Sequence, residues 1–193
     1  MGTEHFSVAL GLLAGATQLL GYYLYVKLTK QAGAGSWVMW AFGAFVDALS
    51  YAFVAEDWVK EVLPFTCSMA CMIMVGYLFA KGRLDKPEKE DWLIFGLDTF
   101  ITFLWLFTTA LVANLLYQAS TVLSFRPMAR DILADKHKEH WLPWAVWSVA
   151  YALHLVVVLM RLNHLGELAF PVVHLGTHSL ILVLVLYKKF QKT

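Results

Sequence analysis

The chain has 193 residues, 60% of them hydrophobic, with a mean hydropathy of +0.61 and a formal net charge of +1. A soluble domain is roughly 45–50% apolar, so this surplus needs lipid to cover it and excludes an ordinary soluble fold. The charged residues cluster, and most of the long uncharged windows between them lack the polar face that a lone soluble helix needs.

A membrane span takes about 20 mainly apolar residues. In chain order, spans are expected at Phe6–Lys27, Ser36–Ala55, Val62–Ala80, Trp92–Phe107, Thr109–Met128, Pro143–Leu162 and Leu168–Tyr187. The fourth and fifth are divided at Thr108–Thr109, because the run from Trp92 to Ala129 carries only Asp98 and Arg126 as charges and is too long for one crossing. No signal-peptide cleavage pattern is present, and the first apolar stretch is long enough to remain as a span. With alternating spans, one face receives Lys27, Lys30, Lys81, Arg83, Lys86, Lys89, Arg126, Arg130, Lys136, Lys138, Lys188, Lys189 and Lys192, and the other only Lys60 and Arg161. The positive-inside rule then puts the C-terminus in the cytoplasm and the N-terminus outside, in a bacterial-type inner (plasma) membrane. The membrane accounts for the basic residues, so no nucleic-acid partner is expected. Cys67 and Cys71 lie within one span, where a disulfide is geometrically poor, so free thiols are expected.

A shift of 107 residues lays SWVMWAFGAFVDALSY over PWAVWSVAYALHLVVV. Trp37 falls on Trp144, Trp40 on Trp147, Pro64 on Pro171 and Lys81 on Lys188, while Asp47 meets His154. The chain therefore reads as an all-α integral membrane protein. Its seven transmembrane helices form two parallel triple-helix bundles, residues 1–83 and 109–193, joined by a loop and linker helix at 84–108. Parallel repeats are related by an axis along the membrane normal and normally hold a solute near the midplane between them.

This layout resembles the SWEET, PQ-loop and PnuC-like transporter superfamily, and QASTVLSFRPMARDIL followed by KEHWLPWAVWSVAYAL resembles the opening of its second repeat. The resemblance implies a transporter of a small polar solute. The chain has no Pro-Gln pair and lacks the asparagines that SWEET proteins carry on the third and seventh spans. These departures count against sugar, and aromatic-ring solutes fit the tryptophan and acid content better than plain sugars.

Ionisable groups at membrane depth cost about 2.5–3.5 kcal/mol on insertion scales and usually face a bundle interior or cavity. Trp40, Asp47 and Tyr51 share one face of the second span, and Trp147, Tyr151 and His154 one face of the sixth. Asp47 and His154 are expected on opposite sides of one cavity, as a proton- or cation-binding pair. Trp40 and Trp147 are expected to stack on the solute, whereas Trp37 and Trp144 sit one turn nearer the cytoplasm, where aromatic belts belong. Gln118 is a further candidate contact. Gln18 and Asn114 read as interhelical hydrogen-bond formers. Asp98, on the linker span, is expected away from the cavity, against a neighbouring helix or a second protomer of a homo-oligomer. Gly43, Pro127 and Pro143 are candidate bending points.

VVHLGTHS places His174 and His178 four residues apart on one helical face, and the repeat carries Cys67 and Cys71 onto them. Two Cys and two His are a known zinc set. Such a set split between two moving halves would hold a transporter shut, so solute hydrogen bonding is the leading role and metal the alternative. No nucleophile elbow, phosphate loop or catalytic carboxylate pair occurs, so neither an enzyme nor a cofactor is expected. The rival to transport is a receptor or assembly protein on the same fold.

Overall fold

The computed structural model describes residues 2–29, 34–82, 87–136 and 139–191, with side chains of the second helix described from Trp37 onward. Lys30, Arg83, Lys86, Lys138 and Lys192 of the basic set, and the expected boundary between 83 and 84, lie outside the described residues. The elements are α1 (Gly2–Leu28), α2 (Ala34–Ala55), α3 (Trp58–Ala80), α4 (Lys89–Trp105), α5 (Ala110–Leu133), α6 (Trp141–Met160), a 3-10 turn (Leu165–Leu168) and α7 (Ala169–Phe190). Among the described residues there is no strand.

Local chemistry sets the helix ends. The Asp57 carboxylate accepts from the Val59 amide at 3.0 Å at the start of α3, and Thr109 Oγ1 accepts from Val112 at 3.3 Å at the start of α5. Each satisfies an amide that the helix itself cannot. The break between the fourth and fifth helices therefore falls at the expected Thr108–Thr109 pair. At α6, His140 Nδ1 accepts from the Leu142 amide at 3.2 Å. Pro143 lies two residues beyond that helix's start, in the first turn, where its missing N–H costs no intrahelical bond. That corrects its expected role as a bending point. Pro127 does lie inside α5, where it frees the carbonyl four residues earlier.

Among the described residues five stretches, α1, α2, α3, α6 and the 3-10 turn with α7, are long and apolar enough to cross a membrane. The fold is that of an α-helical protein compatible with membrane embedding. Polarity is distributed inside out relative to a soluble domain. Gln18, Asp47, Lys60, Asn114, His154 and Glu167 are buried, whereas Leu12, Leu19, Phe53, Ile73, Leu93, Phe103 and Val183 lie on the outside. A soluble monomer rarely exposes so continuous an apolar surface.

The packing repeats along the chain. In the first half α3 lies against both α1 and α2, and in the second α7 lies against both α5 and α6. Between the halves α1 packs on α6 and, equivalently, α2 on α5, while α4 leans on α2 and α5. The 107-residue shift also relates Lys60 to Glu167, and these two meet: Lys60 Nζ lies 2.7 Å from Glu167 Oε2, with both side chains at 0% exposure. Beside them Arg161 Nε reaches Asp57 Oδ2 at 2.6 Å and its Nη1 reaches Ser7 at 2.9 Å. The two halves are thus tied at the end of the bundle where α2 turns into α3 and α6 into α7.

Candidate functional site

A cavity of about 70 Å³ lies between the halves, lined from α1, α2, α3, α4, α5, α6 and α7. Its polar floor is organised around Asp47. Asn114 Nδ2 and Gln118 Nε2 donate to Oδ1 at 3.0 and 2.7 Å, and His174 Nε2 lies 3.3 Å from Oδ2. Asn114 also donates to Ser50 at 3.2 Å. Three helices, α2, α5 and α7, therefore meet on one carboxylate. Asn114 does bond between helices, as expected, and Gln118 sits behind the wall, holding Asp47 rather than lining the cavity.

The walls are aromatic. Trp40 stacks on Phe125 with ring centres 5.4 Å apart, and Trp37 meets Trp40 edge-on at 5.2 Å. Trp144 meets Trp147 at 5.0 Å, and Tyr22 meets Trp147 at 5.0 Å. Trp37 and Trp144 are 2% and 1% exposed and line the cavity. This overturns their expected place in an interfacial belt. For Trp144 a half-buried acceptor accounts for this: Glu139 receives the Trp144 indole N–H at 3.2 Å and the Tyr25 hydroxyl at 3.0 Å, which turns the ring inward. Burial pushes the Glu139 carboxyl up to about 7, while the bonds from Trp144 and Tyr25 pull it down by less.

His174 and His178 lie on the cavity with Cys67 and Cys71, so the two motifs do converge. Tyr151 stacks on His174 at 4.9 Å and packs on His178 at 4.6 Å. Each of the four side chains has a heteroatom committed elsewhere. Cys71 Sγ lies 2.8 Å from the Tyr22 hydroxyl, Tyr151 donates to Cys67 Sγ at 3.4 Å, and His174 Nε2 is engaged by Asp47. His178 Nδ1 donates to the His174 carbonyl at 2.8 Å. Among the described residues no three His, Cys, Asp or Glu side chains are placed to hold a metal ion, and both thiols are free, as expected.

Three expectations about the cavity change. His154 does not face Asp47 across it: it is fully buried beside Tyr51 and Phe170, at 6.0 and 5.8 Å, and neither ring nitrogen has a hydrogen-bond partner among the described residues. Tyr51 lies in the same apolar layer, 4.8 Å from Phe170, off the cavity. The reason is that α5 offers Asn114 and Gln118 to Asp47, while His154 packs on Tyr51 and Phe170 in an apolar layer that also holds Ala14 and Leu63. Asp98, expected elsewhere, lines the cavity, and Ser120 donates to its Oδ1 at 2.5 Å. The linker helix has no repeat partner, so symmetry could not locate Asp98; the serine four residues from each of Leu116 and Ser124 on the inner stripe of α5 was the available signal. Gly43 is also in the lining, one turn before Asp47. No protein-family model, curated protein or solved structure matches the chain.

Proposed function

We propose that the chain is a seven-span membrane transporter, facilitative or proton-linked, that carries a small polar, ring-containing solute through this cavity. Its two halves act as parallel triple-helix bundles, 1–83 and 109–193, joined by 84–108. The observation that carries the reading is the cavity itself: carboxylates and imidazoles gathered at mid-span between halves that pack in the same pattern. Groups so costly at membrane depth usually mark a solute or ion path.

The two helices that fall short of the apolar criterion have physical reasons to cross as well. α5 spends its polar residues inward, with Asn114, Gln118, Ser120 and Ser124 buried, and turns Leu115, Val122 and Leu123 outward. α4 has 17 residues, about 26 Å of helix at 1.5 Å per residue, close to the ~30 Å hydrocarbon core. It presents Leu93, Phe100 and Phe103 on its outer face. All the basic residues except Lys60 and Arg161 then fall on the cytoplasmic side, with the N-terminus outside.

In this reading Trp40 and Trp147 flank the solute, and Asp47 is the group that couples the halves. A proton on Asp47 removes the charge that holds Asn114, Gln118 and His174 together, so it loosens α2 from α5 and α7 at once. The test is uptake into proteoliposomes of nucleosides, vitamins and sugars under an imposed pH gradient. A solute that crosses, with pH dependence lost in Asp47→Asn, supports the proposal. Full pH-dependent uptake by Asp47→Asn removes the coupling role, and solutes that bind but never cross leave a receptor.

A further inference from the structure

Asp98 enters the cavity from α4 with one carboxylate oxygen unspent. Ser120 bonds Oδ1 at 2.5 Å, and no hydrogen bond from the described residues reaches Oδ2, although the residue is only 4% exposed. A Cβ at position 43 would stand 2.8 Å from Oδ2, so Gly43 is what leaves that oxygen its space. Asp47 differs: three side-chain donors converge on it. Hydrogen bonds to a charged group offset the cost of placing it at membrane depth. Asp47 has three such side-chain bonds and Asp98 has one.

The rest of the lining has the same sign. His178 donates through Nδ1 to the His174 carbonyl, so the neutral ring presents Nε2 to the cavity as an acceptor. The indole donors of Trp144 and Trp147 are spent on Glu139 and on the Gln18 carbonyl. Among the described lining residues there is neither a lysine nor an arginine. The described lining thus combines carboxylates, an imidazole acceptor and aromatic faces with no fixed cation. Aromatic faces attract a cation within about 6 Å, most strongly when water is excluded.

We infer that the solute is an organic cation, with its positive centre held at Asp98 Oδ2 against the rings of Trp40 and its neighbours. The inference rests on the reading of this cavity as the solute site. A volume of about 70 Å³, at roughly 10–15 Å³ per water, matches a compact cationic head. The remainder of a larger solute enters only as the walls part.

The experiment is calorimetric titration of the full chain in lipid nanodiscs with three probes that share one ring: benzyltrimethylammonium, benzyl alcohol and benzoate. The cation is expected to bind at least tenfold more tightly than the alcohol, and benzoate not measurably. In Asp98→Asn the cation should fall to the level of the alcohol, whose own affinity changes less than twofold. If that variant does not fold, the wild-type series alone decides. Equal binding of cation and alcohol, tighter binding of benzoate, no binding of the cation at millimolar concentration, or an undiminished cation preference in Asp98→Asn overturns the inference. Failure of the transport reading looks different: the cation binds and does not cross. Uptake of neutral solutes with no charge preference sinks the cation class and leaves transport standing.

Discussion

Glu139 joins the loop before α6 to the aromatic wall, and its chemistry gives a pH dependence with a definite sign. Its carboxyl titrates at about 7 in the folded protein, above the ordinary 4.5. Between those values the folded state holds the proton more tightly than the unfolded state, so stability falls as pH rises and levels off above about 7. The melting temperature should therefore drop from pH 5 to pH 7.5, and Glu139→Gln should flatten that slope; an unchanged slope refutes the assignment. Asp47 makes the second prediction at this scale. Asp47→Ala strands donors on Asn114 and Gln118, at about 1–3 kcal/mol for each buried group left unpaired, whereas Asp47→Asn keeps an acceptor and should cost less. Denaturation midpoints of the two variants compare them directly. Asp47 was legible in the sequence because a lone carboxylate in an apolar run is conspicuous. Glu139 was not, because it sits among loop charges and is set apart only by what packs on it.

Among the elements, the helices were legible because uncharged runs, caps and the Thr108–Thr109 break are local signals. Which faces meet was less so. α1 lies on α6 through Gly21, where an added Cβ would strike the Trp147 indole. Gly21→Ala should therefore overpack this contact at about 1–3 kcal/mol and displace Trp147 from the cavity wall, visible as a shift in tryptophan fluorescence. A variant with wild-type stability and emission would show that the contact is loose. The repeat paired Asp47 of α2 with His154 of α6 but misjudged their partners. Asp47 looks into α5, which carries amides, and His154 into an apolar layer with Tyr51 and Phe170. Equivalent positions share geometry and not chemistry, because the third helix each one faces has its own sequence.

At the scale of the whole molecule, the buried pair Lys60–Glu167 ties the two halves at residues that the repeat makes equivalent. Removing one partner leaves a charge buried alone, at about 3–5 kcal/mol, while replacing both with apolar residues is often neutral. Lys60→Met should thus destabilise strongly and Lys60→Met with Glu167→Leu should recover most of the loss; equal loss in both would mean that the pair itself holds the halves. A transporter must loosen one end of its bundle while the other closes, and this end is closed here. The chain has two cysteines, Cys67 and Cys71, and both line the cavity, which permits a test that needs no known solute. In vesicles of fixed orientation, a membrane-impermeant cationic thiol reagent, 2-(trimethylammonium)ethyl methanethiosulfonate, is applied to one face at a time. A transporter that opens alternately predicts labelling of these thiols from both faces, abolished by Cys67→Ser with Cys71→Ser. Labelling from one face only, or from neither, would contradict it.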